Sequence, residues 1–186
     1  MADVVLESAT ATFRAAKALA EAALAQVPDA QLHVAPTPES NSLSVIVRHI
    51  AGNLRSRWTE FLTSDGEKPW RHRDGEFEEG SLSRAQLLAE WEAGWATLFA
   101  TLSTLHDADL ARTVTIRREP HTVARAIDRQ LSHYGYHVGQ IVYVARMLVG
   151  PAWKNLSVPR GESETFNRKM ALGRAGGPLA PPPPPR

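Results

Sequence analysis

The chain contains no cysteine. That excludes disulfide frameworks, thiolate zinc sites, iron–sulfur clusters and a cysteine nucleophile, so any metal it binds is held through nitrogen or oxygen. It also lacks an excess of charge of either sign: 21 Lys plus Arg stand against 20 Asp plus Glu, a formal charge of +1. A near-neutral balance gives no electrostatic argument for a nucleic-acid backbone or an anionic membrane, and no nucleic-acid reader motif is present. Nucleic acid and membrane are therefore not expected as partners. No apolar run is long enough to span a bilayer, and Met1 to Glu7 carry acids where a signal peptide would carry bases. A soluble, cytoplasmic protein acting on a small-molecule substrate is the expectation. What remains is 186 residues, 43% of them hydrophobic, which suits a single domain with a sizeable core.

That core reads as helical. Apolar residues at Leu6, Ala9, Phe13, Ala16, Ala20 and Leu24 recur every three or four positions and predict a helix from Val4 to Val27, stopped by Pro28. After a connection holding Pro36 and Pro38, Asn41 or Ser42 caps a second helix, from Ser42 to Thr63, with Leu43, Ile46, Val47, Ile50, Leu54 and Trp58 on its buried face. A long loop, Asp65 to Ser81, follows; long loops in compact domains are often functional. Its basic and aromatic stretch around Trp70 reads as a solvated segment cross-linked by its own charges. Ser81 or Ser83 opens a third helix running to Leu105, with Trp91 and Trp95 at helical spacing. Leu110 to Glu119 alternates apolar and polar residues but is too short to found a sheet. Thr122 caps a fourth helix, Val123 to Val149, which Gly150-Pro151 terminates. Four long amphipathic helices predict an all-α fold, a four-helix bundle, over residues 1–170. A short helix is expected near Glu164, and residues 171–186, with Pro181 to Pro185, read as a disordered proline-rich tail.

The chemistry of the sequence lies in its histidines. His133 and His137 sit one turn apart on the fourth helix, near enough to bind one ion. At 100° per residue, Ala126, Gln130, His133, Gln140, Ile141 and Val144 all fall within about 60° of His137, so both imidazoles point into the bundle. Burying two imidazoles in an apolar stripe is costly unless their nitrogens are satisfied. His49 lies at the border of the apolar stripe of the second helix, beside Asn53 and with Arg57 further along. If the second and fourth helices pack together, His49, His133 and His137 form a three-nitrogen site with open positions. The alternative is a pair of buried, hydrogen-bonded histidines with a half-exposed third.

No Asp or Glu falls between Val45 and Asn53 or between Arg129 and Ile141. Unless an acid arrives from a loop or another helix, the protein supplies no general base, and the nucleophile has to come with the ion, as hydroxide or as the thiolate of a small thiol. Asn53, Arg57 and Gln140 are the candidate catalytic or substrate-anchoring residues; an Arg at the border of a core face can pair with a carboxylate of an incoming ligand. A surface Arg57 lying over the stripe is the simpler alternative.

His49, followed at long range by His133-x-x-x-His137-Val138-Gly139-Gln140-Ile141, resembles the DinB/YfiT-like superfamily of metal-binding four-helix bundles. The strings SVIVRHIAGNLRSRW (Ser44 to Trp58), DGEKPWRHRDGEFE (Asp65 to Glu78), IRREPHTV (Ile116 to Val123) and LSVPRGESETFN (Leu156 to Asn167) look like the signatures of one uncharacterised branch of it. The resemblance implies up-down-down-up helices with a long crossover loop between the second and third. It further implies zinc or nickel on the three histidines, and a homodimer. Relatives in that superfamily include thiol-dependent transferases and isomerases, and others are labelled metal-dependent hydrolases. Fold analogy does not convey a reaction.

Two functions therefore stand at this point. One is a metal-dependent enzyme that transfers a low-molecular-weight thiol to an electrophile or hydrolyses a small molecule. The other is a non-catalytic homodimeric helical binding or stress-response protein whose metal is structural.

Overall fold

Alanine-rich sequence with one apolar stripe forms α1 (Val4–Leu24), which buries Leu6, Ala9, Phe13, Ala20 and Leu24. It ends three residues sooner than the periodicity suggests, because the residue before a proline is pushed out of the helical region and Pro28 follows Val27. The computed structural model describes residues 3–173. Within them, α2 (Leu43–Trp58) and α3 (Arg84–Leu102) start at Ser42 and Ser83, whose hydroxyls accept from Val45 N and Gln86 N; Gln86 completes a capping box. α4 (Val123–Val149) starts at Thr122, whose hydroxyl accepts from Arg125 N, and α5 (Ser163–Gly173) is the helix anticipated near Glu164. The proline-rich tail expected beyond lies, from residue 174, outside the described residues.

The second helix is shorter than predicted. Thr59 is extended and Glu60 takes φ 50°, so residues 59–63 form turns, although Phe61 still packs its ring 4.8 Å from that of Trp58. The fold is mostly helical. α2 packs on α3 and α4, and α1 packs on α4 and α3. The core between them is aromatic: Phe13, Trp58, Trp91, Trp95 and Tyr134 are all fully buried. α2 and α3 approach closely at Gly94, where a Cβ would stand 3.1 Å from both Ala51 O and Leu54 Cβ. No helix among the described residues is long and apolar enough to cross a membrane.

The segment expected as an extended link is half of a hairpin. β1 (Thr113–Ile116) pairs antiparallel with β2 (Glu119–Thr122), joined by Arg117 and Arg118 at φ 53° and 66°. Two-residue hairpin turns of this kind favour Asn-Gly, since a left-handed conformation costs other residues roughly 1–2 kcal/mol each. Asp65, at the start of the crossover loop, offsets that cost: its carboxylate accepts from Arg117 N at 2.8 Å, Arg118 N at 2.7 Å and Glu67 N at 2.7 Å. Gly66 N also donates to Thr115 O at 2.8 Å, so the loop is sewn to the hairpin.

Partial burial pushes the Asp65 carboxyl up, but the backbone donors of Glu67, Arg118 and Arg117 outweigh it and hold the group below the usual carboxylate range. A lowered folded-state value means the stabilisation is present above the unfolded carboxyl value and fades as pH falls through the folded one. Asp65→Asn is expected to lower the melting temperature at pH 7 by several degrees, corresponding to about 1–2 kcal/mol. The gap from wild type should shrink below about pH 4. Melting curves of both proteins across this range check it; parallel curves at every pH would contradict the clamp.

Candidate metal centre

Three imidazoles meet where α2 faces α4. His133 Nε2 lies 3.3 Å from His49 Nε2 and 3.1 Å from His137 Nε2, and the three candidate ligand atoms all fall within 4.8 Å of one another. His49 and His137 are buried and His133 is half-buried, so His49 is not the half-exposed residue that its place on the helix suggests. The i,i+4 pair and its distant partner are thus brought together as the sequence reading expects.

The outer nitrogens define the proton positions. His49 Nδ1 stands 3.0 Å from Glu76 Oε2, and an ionised carboxylate only accepts, so Nδ1 carries the proton. His137 Nδ1 donates to Gln140 Oε1 at 2.7 Å, while Gln140 Nε2 donates to the Tyr136 hydroxyl. Both histidines therefore turn an Nε2 lone pair toward the centre. Burial, reinforced by His137 and His49, pushes the His133 imidazole down to about 3. Burial also pushes His137 down, against the bond to Gln140. Burial thus favours the neutral form of His133 and His137, and the nitrogens that meet at His133 Nε2 need either a proton held there or a cation between them. Nitrogens about 2.0–2.1 Å from a tetrahedral ion are themselves about 3.4 Å apart, close to the 3.1 and 3.3 Å that separate His133 Nε2 from the other two. His133 Nδ1 is buried without a hydrogen-bond partner, so Nε2 is the nitrogen left to engage its neighbours. Three close histidines with oriented second nitrogens can hold a metal ion.

The acid that the two helices do not provide comes from the crossover loop. Glu76 lies in a single helical turn, Asp74–Phe77, and Arg71 Nε and Nη2 each donate to its carboxylate at 2.8 Å. Burial would push its carboxyl up; hydrogen bonds from Arg71 and His49 prevail and keep it below the usual range. With both oxygens engaged, Glu76 orients His49 and is not a free base. It reaches His49 because residue 52 is glycine: a Cβ there would fall 2.1 Å from Glu76 Oε1 and 2.8 Å from Cδ. Phe77 closes the same side, its ring 4.7 Å from the His49 ring.

The stretch around Trp70 is the solvated, charge-linked segment expected, with Trp70, His72, Arg73 and Asp74 exposed and Arg71 paired with Glu76, but the loop that carries it is not free. It is stapled to the polar border of α2, where Arg48 donates to Glu78 O at 2.6 Å and to Gly75 O at 2.7 Å. Ser56 Oγ and Arg57 Nη1 both donate to Gly66 O. Arg57 is buried by this cover, contrary to the surface alternative, and its other terminal nitrogen lies 3.3 Å from Glu67. Asn53 Oδ1 accepts from the Tyr134 hydroxyl at 3.1 Å, which accepts from Trp58 Nε1 at 3.2 Å. This buried chain ties α2 to α4 beside the histidines, and burial pushes the Tyr134 phenol up, so it keeps its proton. Asn53 and Arg57 line the cavity described next; Gln140 stands behind His137. Glu76, Arg71 and Phe77 were missed by sequence reasoning. The available signal was Gly52 inside a helix, one turn from His49, since such a glycine marks a close approach.

The histidines open onto a cavity of about 510 Å³, whose lining includes the exposed residues Arg73, Arg129, Ser132 and Tyr136. Partners of a metal-ligating histidine typically govern about 10–100-fold in affinity. Glu76→Gln and Gly52→Ala should each weaken zinc binding by a factor in that range, the second because its methyl group displaces the Glu76 carboxylate. Competition against a chromophoric chelator measures it; wild-type affinity in both variants would contradict the role given to Glu76.

A family model described as a protein of unknown function (DUF1572) matches residues 1–162. No curated protein and no solved structure matches the chain.

Proposed function

Since the chain belongs to the DUF1572 family, described as of unknown function, we propose its activity from the site itself: a metal-dependent enzyme built on His49, His133 and His137. The observation that carries the reading is the convergence of three Nε2 atoms at the wall of a cavity whose rim is exposed. A purely structural site would more usually be closed by a fourth protein ligand, and no Cys, Asp or Glu joins this group among the described residues.

When bound, a divalent ion, zinc or nickel, supplies Lewis acidity that lowers the pKa of a water or thiol. The protein's own part is positional. Glu76 and Gln140 hold the Nδ1 protons of His49 and His137, which fixes both rings with their Nε2 atoms inward. Arg71 keeps Glu76 ionised and in place. Neither Asp nor Glu lines the cavity, so no carboxylate is free to take a proton from water. That favours transfer of a low-molecular-weight thiol to an electrophile over hydrolysis, because a thiol ionises on an ion without a protein base. Asn53 and Arg57, on the cavity wall, are the proposed substrate contacts, with Gln140 acting through His137. To the same proposal belong the up-down-down-up bundle of the DinB/YfiT-like superfamily and a homodimer in solution.

Metal content by inductively coupled plasma mass spectrometry, on untagged protein grown with zinc or nickel, tests the reading. About one ion per chain is expected in the wild type, with loss in both His49→Ala and His133→Ala. Little metal in the wild type, or retention in both variants, would overturn it.

A further inference from the structure

Beside the histidines, the cavity is lined by five arginines, Arg57, Arg71, Arg73, Arg117 and Arg129, and by no acidic residue. They arrive from separate parts of the chain: α2, the crossover loop, the β1–β2 turn and α4. Acids outside the lining offset part of this charge. Glu67 lies 3.3 Å from Arg57 and 2.9 Å from Arg117, Glu76 holds Arg71, and the exposed Asp74 lies 3.8 Å from Arg73. Arg129 is exposed and has no ion-pair partner among the described residues.

One feature is unexplained by the fold, and a second sets an arginine at the cavity. The Arg71 side chain is 2% exposed, yet its Nη1 has no hydrogen-bond partner; the nearest carboxylate oxygen, on Glu67, is 3.8 Å away. A buried guanidinium nitrogen without an acceptor is destabilising, and an oxygen brought by a ligand would satisfy it. Arg117 reaches the cavity from a left-handed backbone that a glycine would occupy without strain. The Asp65 carboxylate holds that turn, so Arg117 is fixed with its guanidinium at the cavity.

We propose that the cavity binds the oxyanion of a small organic anion, a carboxylate or phosphate carried by the substrate, on Arg71, Arg117 and Arg129 beside the histidine cluster. As the substrate class of that site, this rests on the metal-centre reading, but the anion contact belongs to the arginines. Guanidinium forks match both carboxylate and phosphate oxygens.

The test is isothermal titration of succinate, inorganic phosphate and neutral 1,4-butanediol into untagged protein, metal-loaded and metal-free, with Arg117→Gly and Arg129→Ala as variants. Glycine keeps the turn while removing the guanidinium, and Arg129 is exposed, so both variants fold. The expected result is binding of at least one anion and not of the diol, weakened about tenfold or more by each variant. Weakening by added salt is expected as well. Preference for succinate identifies a carboxylate, and preference for phosphate a phosphate ester. Binding that needs the metal and ignores both variants would place the anion on the ion alone and overturn the proposal, as would no binding to metal-loaded protein; the metal-centre reading survives both. Arginine-dependent anion binding by a protein that takes up no metal would instead sink the metal-centre reading and leave the anion site standing.

Discussion

Three imidazoles that meet at one point, with His133 Nε2 within hydrogen-bond distance of both His49 Nε2 and His137 Nε2, are the constraint on which the rest of this structure depends. Neutral imidazole carries one donor and one acceptor, and Glu76 and Gln140 use the donors of His49 and His137. The remaining lone pairs point at a common centre in a region where burial disfavours the imidazolium form. A proton on His133 Nε2 serves one hydrogen bond shared between two acceptors and leaves His133 Nδ1 buried without a partner, whereas a metal ion engages all three Nε2 atoms.

Around that centre, each neighbouring feature has a consequence for it. Gly52 leaves the space that the Glu76 carboxylate fills, and Arg71 supplies the charge that keeps that carboxylate ionised. Arg48, Ser56 and Arg57 fix the crossover loop along α2, so Glu76 is delivered by an anchored segment. The Trp58–Tyr134–Asn53 chain ties α2 to α4 close to the histidines. Gly94 lets α3 press against the other side of α2. Asp65 then links the loop to the hairpin, whose turn brings Arg117 to the cavity. The site is thus assembled from two helices, one loop and one turn, with rigidity supplied mainly by hydrogen bonds to backbone groups.

Much of this was legible in the sequence, for physical reasons. Apolar spacing of three and four, with Ser42, Ser83 and Thr122 as caps, located α2, α3 and α4 because helix periodicity and N-cap chemistry are local properties. The pair His133 and His137 was legible from its i,i+4 spacing, and His49 from its place beside an apolar stripe. The hairpin was half hidden because Arg117-Arg118 stands where Asn-Gly would announce a turn. Glu76 was hidden because a loop has no periodicity to say which of its acids turns inward. The burial of His49 and Arg57 followed from the same gap, since a polar helix border looks solvent-facing until the segment covering it is known.

The most direct test of the central claim is anomalous diffraction from crystals of the untagged protein soaked in zinc, collected on both sides of the zinc absorption edge. The account predicts one anomalous peak per chain, about 2.0–2.1 Å from Nε2 of His49, His133 and His137, with at least one further position open to the cavity. A peak elsewhere, ligation through Nδ1, or a fourth protein ligand closing the site would contradict it.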